Sequence, residues 1–170
     1  MSIKAIVYTT KTGFTEQYAE MLGKKLSLSV YSLKEASKFL SKGDGIIYLG
    51  WICASNIRCF SRAANRFSVC AVCGVGLCDT GALTAEVRKA TNIPEQLPLF
   101  TLQGGFNRNK LKGINKLMIS MLTKGLASQQ QRTEQDDRML RLLSKDANYV
   151  SEENLRDILE WYSKIGSKNS

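Results

Sequence analysis

Five apolar stretches punctuate the chain, at residues 3–8, 28–33, 46–50, 68–73 and 99–102. Each is short, rich in β-branched or aromatic residues, and bounded by polar or Gly-containing turns. Continuous apolar runs of this length predict strands buried on both faces, as in a parallel sheet. Between them the spacing becomes helical. Ala19, Leu22 and Leu26 recur on one helical face after Thr15, and 34–40, 59–67 and 82–90 predict shorter helices. Strands alternating with helices predict an α/β domain with helices covering both sheet faces.

The pattern changes after the fifth strand. Leu111, Ile114, Met118, Met121 and Leu122 fall on one helical face, with Lys110, Lys112 and Lys116 elsewhere. A polar stretch around Gln129-Gln130-Gln131 is expected to be disordered, and a short helix over 136–144 to follow. Ser151 is expected to cap a last helix whose Leu155, Ile158, Leu159, Tyr162 and Ile165 pack on the sheet. The expected organisation is one domain over 1–166, with a basic helical insertion at about 107–126 and a frayed tail at 167–170.

Composition narrows the chemistry. The 170 residues, 44% apolar and 23% charged, suffice for one core. No uncharged stretch approaches the roughly 20 apolar residues of a membrane span. Because the chain enters a strand at once, it is expected to lack a secretory signal and to be cytoplasmic. Histidine is absent, which removes Ser-His and Cys-His dyads and His-ligated zinc. Five cysteines, an odd number, fit reduced thiols better than a disulfide framework. Cys70 and Cys73 have metal-ligand spacing but sit in an apolar strand, where cysteine behaves as a small hydrophobe. No metal site is expected.

Charge is unevenly placed. The net charge is +9, and no acid lies between Glu95 and Glu134, whereas Arg108, Lys110, Lys112, Lys116, Lys124 and Arg132 do. A basic face favours phosphates, nucleic acid or an anionic membrane surface. Aromatic residues are not interleaved with these cations as nucleic-acid stacking would require, which argues against nucleic acid.

The richest local chemistry follows the first strand, in Thr9-Thr10-Lys11-Thr12-Gly13-Phe14-Thr15. A strand here ends in a hydroxyl-rich, Gly-containing turn that opens a helix. Such a turn offers backbone N–H groups and hydroxyl donors to a phosphate, aided by the helix dipole. An ordinary turn with helix-capping threonines is the alternative on spacing alone. No Gly-Lys-Ser/Thr is present, so this is not a nucleoside triphosphate P-loop.

Thr-x-Thr-Gly-x-Thr after an apolar-aromatic strand, with Ala19 four residues beyond the last Thr and Leu22 behind it, resembles the flavodoxin signature. The resemblance implies a three-layer flavodoxin-like sandwich with five parallel strands in the order 2-1-3-4-5. It implies that the turn holds the 5′-phosphate of FMN, with the cofactor at the switch point between first and third strands. It further implies two flavin-ring loops. Gly50-Trp51-Ile52-Cys53-Ala54-Ser55 follows the third strand, with Trp51 the stacking candidate or else a core or rim residue. Gly74-Val75-Gly76-Leu77, continuing to Gly81, follows the fourth and lacks the family's usual aromatic. Asp79 is the acid of that loop and is read first as a turn residue.

A basic chain departs from the acidic electron-carrier flavodoxins. Gln103-Gly104-Gly105-Phe106-Asn107-Arg108, running into the Lys-rich helix, and Ala54-Ser55-Asn56-Ile57-Arg58 resemble the flavodoxin-type, menaquinone-dependent protoporphyrinogen oxidases. Three readings follow. The first is an FMN oxidoreductase passing electrons from a reduced donor to a quinone or redox partner. The second is an electron-carrier flavodoxin without a substrate of its own, and the third an FMN-less basic binding module. The basic segment, through Arg108, Lys110, Lys112, Lys116 and Lys124, is expected either to pack as an extra helix or to rest on the inner face of an anionic membrane.

Overall fold

A computed structural model describes residues 2–107, 110, 114–128, 131 and 133–167. Its elements are β1 (Ile3–Thr9), α1 (Phe14–Leu26), β2 (Ser29–Ser32), β3 (Gly45–Cys53), β4 (Asn56–Ile57), α2 (Phe60–Ala64), β5 (Ser68–Gly76) and α3 (Thr84–Thr91). There follow β6 (Leu99–Gln103), β7 (Gly105–Phe106), α4 (Ile114–Ala127), α5 (Glu134–Ser144), β8 (Ala147–Asn148) and α6 (Arg156–Ser167). The main sheet runs β2-β1-β3-β5-β6, all parallel, with β4 antiparallel to β3 at its end. A separate two-stranded ladder joins β7 to β8.

Alternation along each strand explains why the strands read as continuous apolar runs. Ala5, Val7, Ile46, Tyr48 and Val72 face one side, packed on Phe60 and Ala63 of α2 and Val87 of α3. Ile6, Ile47, Leu49, Ala71 and Cys73 face the other, packed on Tyr18, Ala19 and Leu22 of α1 and Ile158 of α6. Both faces are thus buried, and the architecture is α/β with a mostly parallel central sheet between helical layers.

Several boundaries differ from the sequence expectation. β3 continues through Gly50 to Cys53, because Gly50 pairs with Thr9 and with Gly74, and Trp51 with Val75. β5 likewise continues to Gly76. Segment 34–40 contains only a 3-10 turn at Ala36–Lys38, and α2 spans five residues. α5 begins two residues earlier than expected because Thr133 and Asp136 close a capping box. Ser151 does not cap the last helix: a 3-10 turn at Glu153–Leu155 leads into α6, which runs through Gly166 to Ser167. Arg108, Leu111, Lys112, Gln129, Gln130, Arg132 and the last three residues of the tail lie outside the described residues, as do the side chains of Ile114, Lys116 and Met118.

Candidate functional site

The C-terminal ends of β1, β3 and β5 converge on one edge of the sheet, and the site is built there. After β1 the chain turns at Gly13, whose φ of +96° is a left-handed conformation that disfavours any side chain. The Thr10 hydroxyl accepts from the Gly13 N–H at 2.9 Å and so shapes the turn from within. Helix α1 then starts with no side-chain cap, leaving the amides of its first turn available to a ligand. Thr15, in that turn, is only 1% exposed, and what little it exposes faces the neighbouring cavity; no buried side-chain oxygen or nitrogen is left without a partner among the described residues.

Beside this turn lies a cavity of about 560 Å³, within the usual range of small-molecule sites, about 300–1,000 Å³. Lys11, Thr12, Phe14 and Thr15 form one end of its wall. Trp51, Ile52, Cys53, Ala54 and Ser55 contribute a second part, and Val75, Gly76 and Leu77 a third. The three segments singled out from the sequence are therefore neighbours around one space.

Their conformations differ from the loops expected. Trp51 to Cys53 and Val75 to Gly76 are strand residues, and only Ala54-Ser55 forms a turn. Both turn residues have positive φ, 49° and 59°, as a two-residue hairpin between β3 and β4 requires. Neither is glycine, so this part of the cavity wall carries backbone strain. The Arg58 guanidinium lies over the Trp51 ring, 5.9 Å from its centroid.

Six expected residues do not line the cavity. The Thr9 hydroxyl bonds that of Tyr48 at 2.9 Å, and Thr10 and Gly13 shape the turn behind the wall. Gly50 and Gly74 are packing positions: a Cβ on Gly50 would come within 2.5 Å of Ile57, and one on Gly74 within 2.9 Å of Ile52. Gly81 stands in open space with φ +84°, its N–H donating to the Thr101 carbonyl.

The remaining wall was not anticipated. Phe106 and Asn107 follow β6, Leu83 rims the opening, and Ile119 and Leu122 of α4 with Met139 and Leu143 of α5 close the far side. Arg138 of α5 forms an ion pair with Asp79 in the loop after β5, tying the two-helix segment to the sheet edge. Helical periodicity located α4, but only the fold reveals which of its residues face the cavity.

The cysteines are dispersed. Cys73 lies in the core, where burial pushes its thiol upward, and half-buried Cys70 is raised for the same reason. Cys78, on the cavity wall, is raised by burial and then by the Asp79 carboxylate. No cluster suited to a metal ion occurs among the described residues. Comparisons with known protein families, curated proteins and solved structures return no match.

Proposed function

We propose that the chain is a flavodoxin-like, FMN-binding oxidoreductase that takes electrons from a reduced donor and passes them to a quinone or redox partner. One observation carries this reading. A glycine turn with an uncapped helix, and with Thr12 and Thr15 at its cavity side, opens onto a cavity walled by the ends of β3 and β5. The order β2-β1-β3-β5-β6 of the parallel strands supports this reading.

The residues fit the group. Thr12, Thr15 and the first amides of α1 would hold the FMN phosphate, with Thr10 and Gly13 fixing the turn. Trp51 to Ser55 and Val75 to Leu77 would hold the ring. FMN, when bound, supplies reversible one- and two-electron transfer. The chain's own task is then to bind, orient and shield. Asp79 is engaged by Arg138, so it serves to hold α5 rather than to move a proton.

A substrate-handling enzyme is favoured over a bare carrier by the wall from α4 and α5. Ile119, Leu122, Met139 and Leu143 add apolar side chains to the cavity wall, which suits an apolar substrate beside the ring. The test is anaerobic reoxidation. Protein loaded with FMN and reduced should be reoxidised by a soluble naphthoquinone with saturable kinetics. Reoxidation no faster than that of free reduced FMN would return the chain to the carrier reading.

The outer side of α4 supports a second element, reversible contact with an anionic membrane surface. Leu117 and Met121, one helical turn apart, are 59% and 64% exposed, and exposed Lys124 follows them. Among the described residues no helix is long and apolar enough to cross a membrane.

A further inference from the structure

We propose that Lys110 provides the positive charge of the phosphate site, so that the segment after β6 completes a pocket begun by the turn after β1. This rests on the FMN reading above and deepens it. The Lys110 Nζ lies 3.4 Å from where a Cβ on Gly13 would stand, although the two residues are 97 positions apart (110 − 13). The Lys110 N–H donates to the Asn107 side-chain oxygen at 3.1 Å. Asn107 itself lines the cavity. The ammonium is thus delivered to the turn by a residue fixed at the cavity rim.

Two independent features make this place a phosphate site rather than an ordinary helix start. Thr15 is nearly fully buried as a residue and lines the cavity, so that its hydroxyl is presented at the wall beside the turn. Helix α1 has no side-chain cap, whereas a capping side chain would occupy the amides that an anion needs. Donors alone leave a dianion's charge unbalanced, and an acid sits close by. Glu16 lies in the first turn of α1, and its carboxylate accepts from the Tyr8 hydroxyl. A phosphate monoester at this turn would feel that carboxylate, and the Lys110 ammonium offsets it. Among the described residues the Lys110 ammonium has no ion pair or hydrogen bond that competes for it. Gly13 is required twice over, by its positive φ and by the nearness of the ammonium to its open side.

Lys110 is therefore a phosphate-selective binding residue. It acts on the ligand's charged tail and not on the ring, and this sets the experiment. FMN and riboflavin, which differ by the phosphate alone, are titrated into the wild type, Lys110→Met and Lys110→Arg. FMN affinity should fall about five- to fiftyfold in Lys110→Met, riboflavin affinity should stay unchanged, and Lys110→Arg should retain most of the FMN affinity. The dependence of FMN affinity on salt should also be shallower in Lys110→Met, and inorganic phosphate should compete less well against FMN there. FMN binding equal in Lys110→Met and wild type would overturn the assignment while leaving the cofactor reading intact. Equal losses for FMN and riboflavin would overturn it too, since Lys110 would then act through the fold of its segment. A wild type that binds neither ligand overturns the cofactor reading itself, and this inference with it.

Discussion

The Phe14 ring lies flat enough against Gly105 that a Cβ on that glycine would come within 2.8 Å of two ring carbons. The first residue of α1 is in this way seated directly on the backbone after β6. The same imagined Cβ would stand 2.3 Å from the Ala147 carbonyl across the β7–β8 ladder. The turn after β1, the cavity wall and the return from the two-helix segment meet at one residue without a side chain.

Gly105→Ala should accordingly destabilise the fold by about 1–3 kcal/mol, because a backbone carbonyl has no rotamer by which to move aside. Urea denaturation measures the loss. Gly125→Ala is the control: nothing surrounds that helical glycine within 4 Å, and alanine should be neutral or mildly stabilising.

Thr15→Val separates binding from stability. Thr15 lines the cavity, and the bond that shapes the turn comes from Thr10, so this replacement should change the urea midpoint little. FMN affinity should nevertheless fall about five- to a hundredfold, corresponding to about 1–3 kcal/mol for one phosphate hydrogen bond. Thr12→Val should weaken FMN to a similar degree. Calorimetry on the two variants checks both halves.

Trp51 and Trp161 report on different places. Trp51 lines the cavity, whereas Trp161 of α6 packs on Phe100, with centroids 6.1 Å apart, and is not part of the cavity wall. FMN should quench the Trp51 emission more strongly, and Trp51→Ala should weaken FMN binding by about 1 kcal/mol. Quenching that survives in Trp51→Ala and vanishes in Trp161→Phe would contradict the placement.

Alkaline pH should loosen the protein before it alters the site. Burial raises the Cys73 thiol and the Tyr48 hydroxyl above their ordinary values of about 9 and 10. A raised value in the folded state means that the unfolded chain loses its proton first. The stabilisation is therefore complete below about pH 9 and is lost as pH rises beyond it. Urea midpoints across pH 7 to 11 should be level and then fall. Tyr48→Phe should flatten that fall, while losing stability at neutral pH through its bonds to the Thr9 hydroxyl and the Arg58 carbonyl.

Much of this architecture was legible because it is local. Strand positions followed from runs buried on both faces, and the turn after β1 announced itself through four hydroxyl residues and a glycine within seven positions. What escaped depends on contacts distant in sequence. Gly50 and Gly74 resemble loop residues in one dimension, but each sits in a strand because neighbouring strands extend past it and a side chain would collide with Ile57 or Ile52. The Asp79–Arg138 pair spans 59 positions, and neither residue carries a local mark of the other. In the sequence Lys110 is one cation of a basic helical segment, with no sign of the neighbour the fold gives it, Gly13.

Binding to a membrane surface should separate cleanly from cofactor binding. Sedimentation with vesicles rich in anionic lipid should capture the protein at low salt and release it as salt rises. Leu117→Ser together with Met121→Ser should reduce capture without changing FMN affinity, since both side chains point outward. A wild type that ignores anionic vesicles at low ionic strength would remove this surface from the account.

The central claim is that this chain holds FMN in the cavity beside the turn after β1. Its most direct measurement is a visible-absorption titration of flavin-free protein with FMN. If FMN sits there, the flavin bands change saturably at one equivalent, and the change is lost in parallel with affinity in Thr15→Val. Flavin bands that remain those of free FMN at every protein concentration would contradict it.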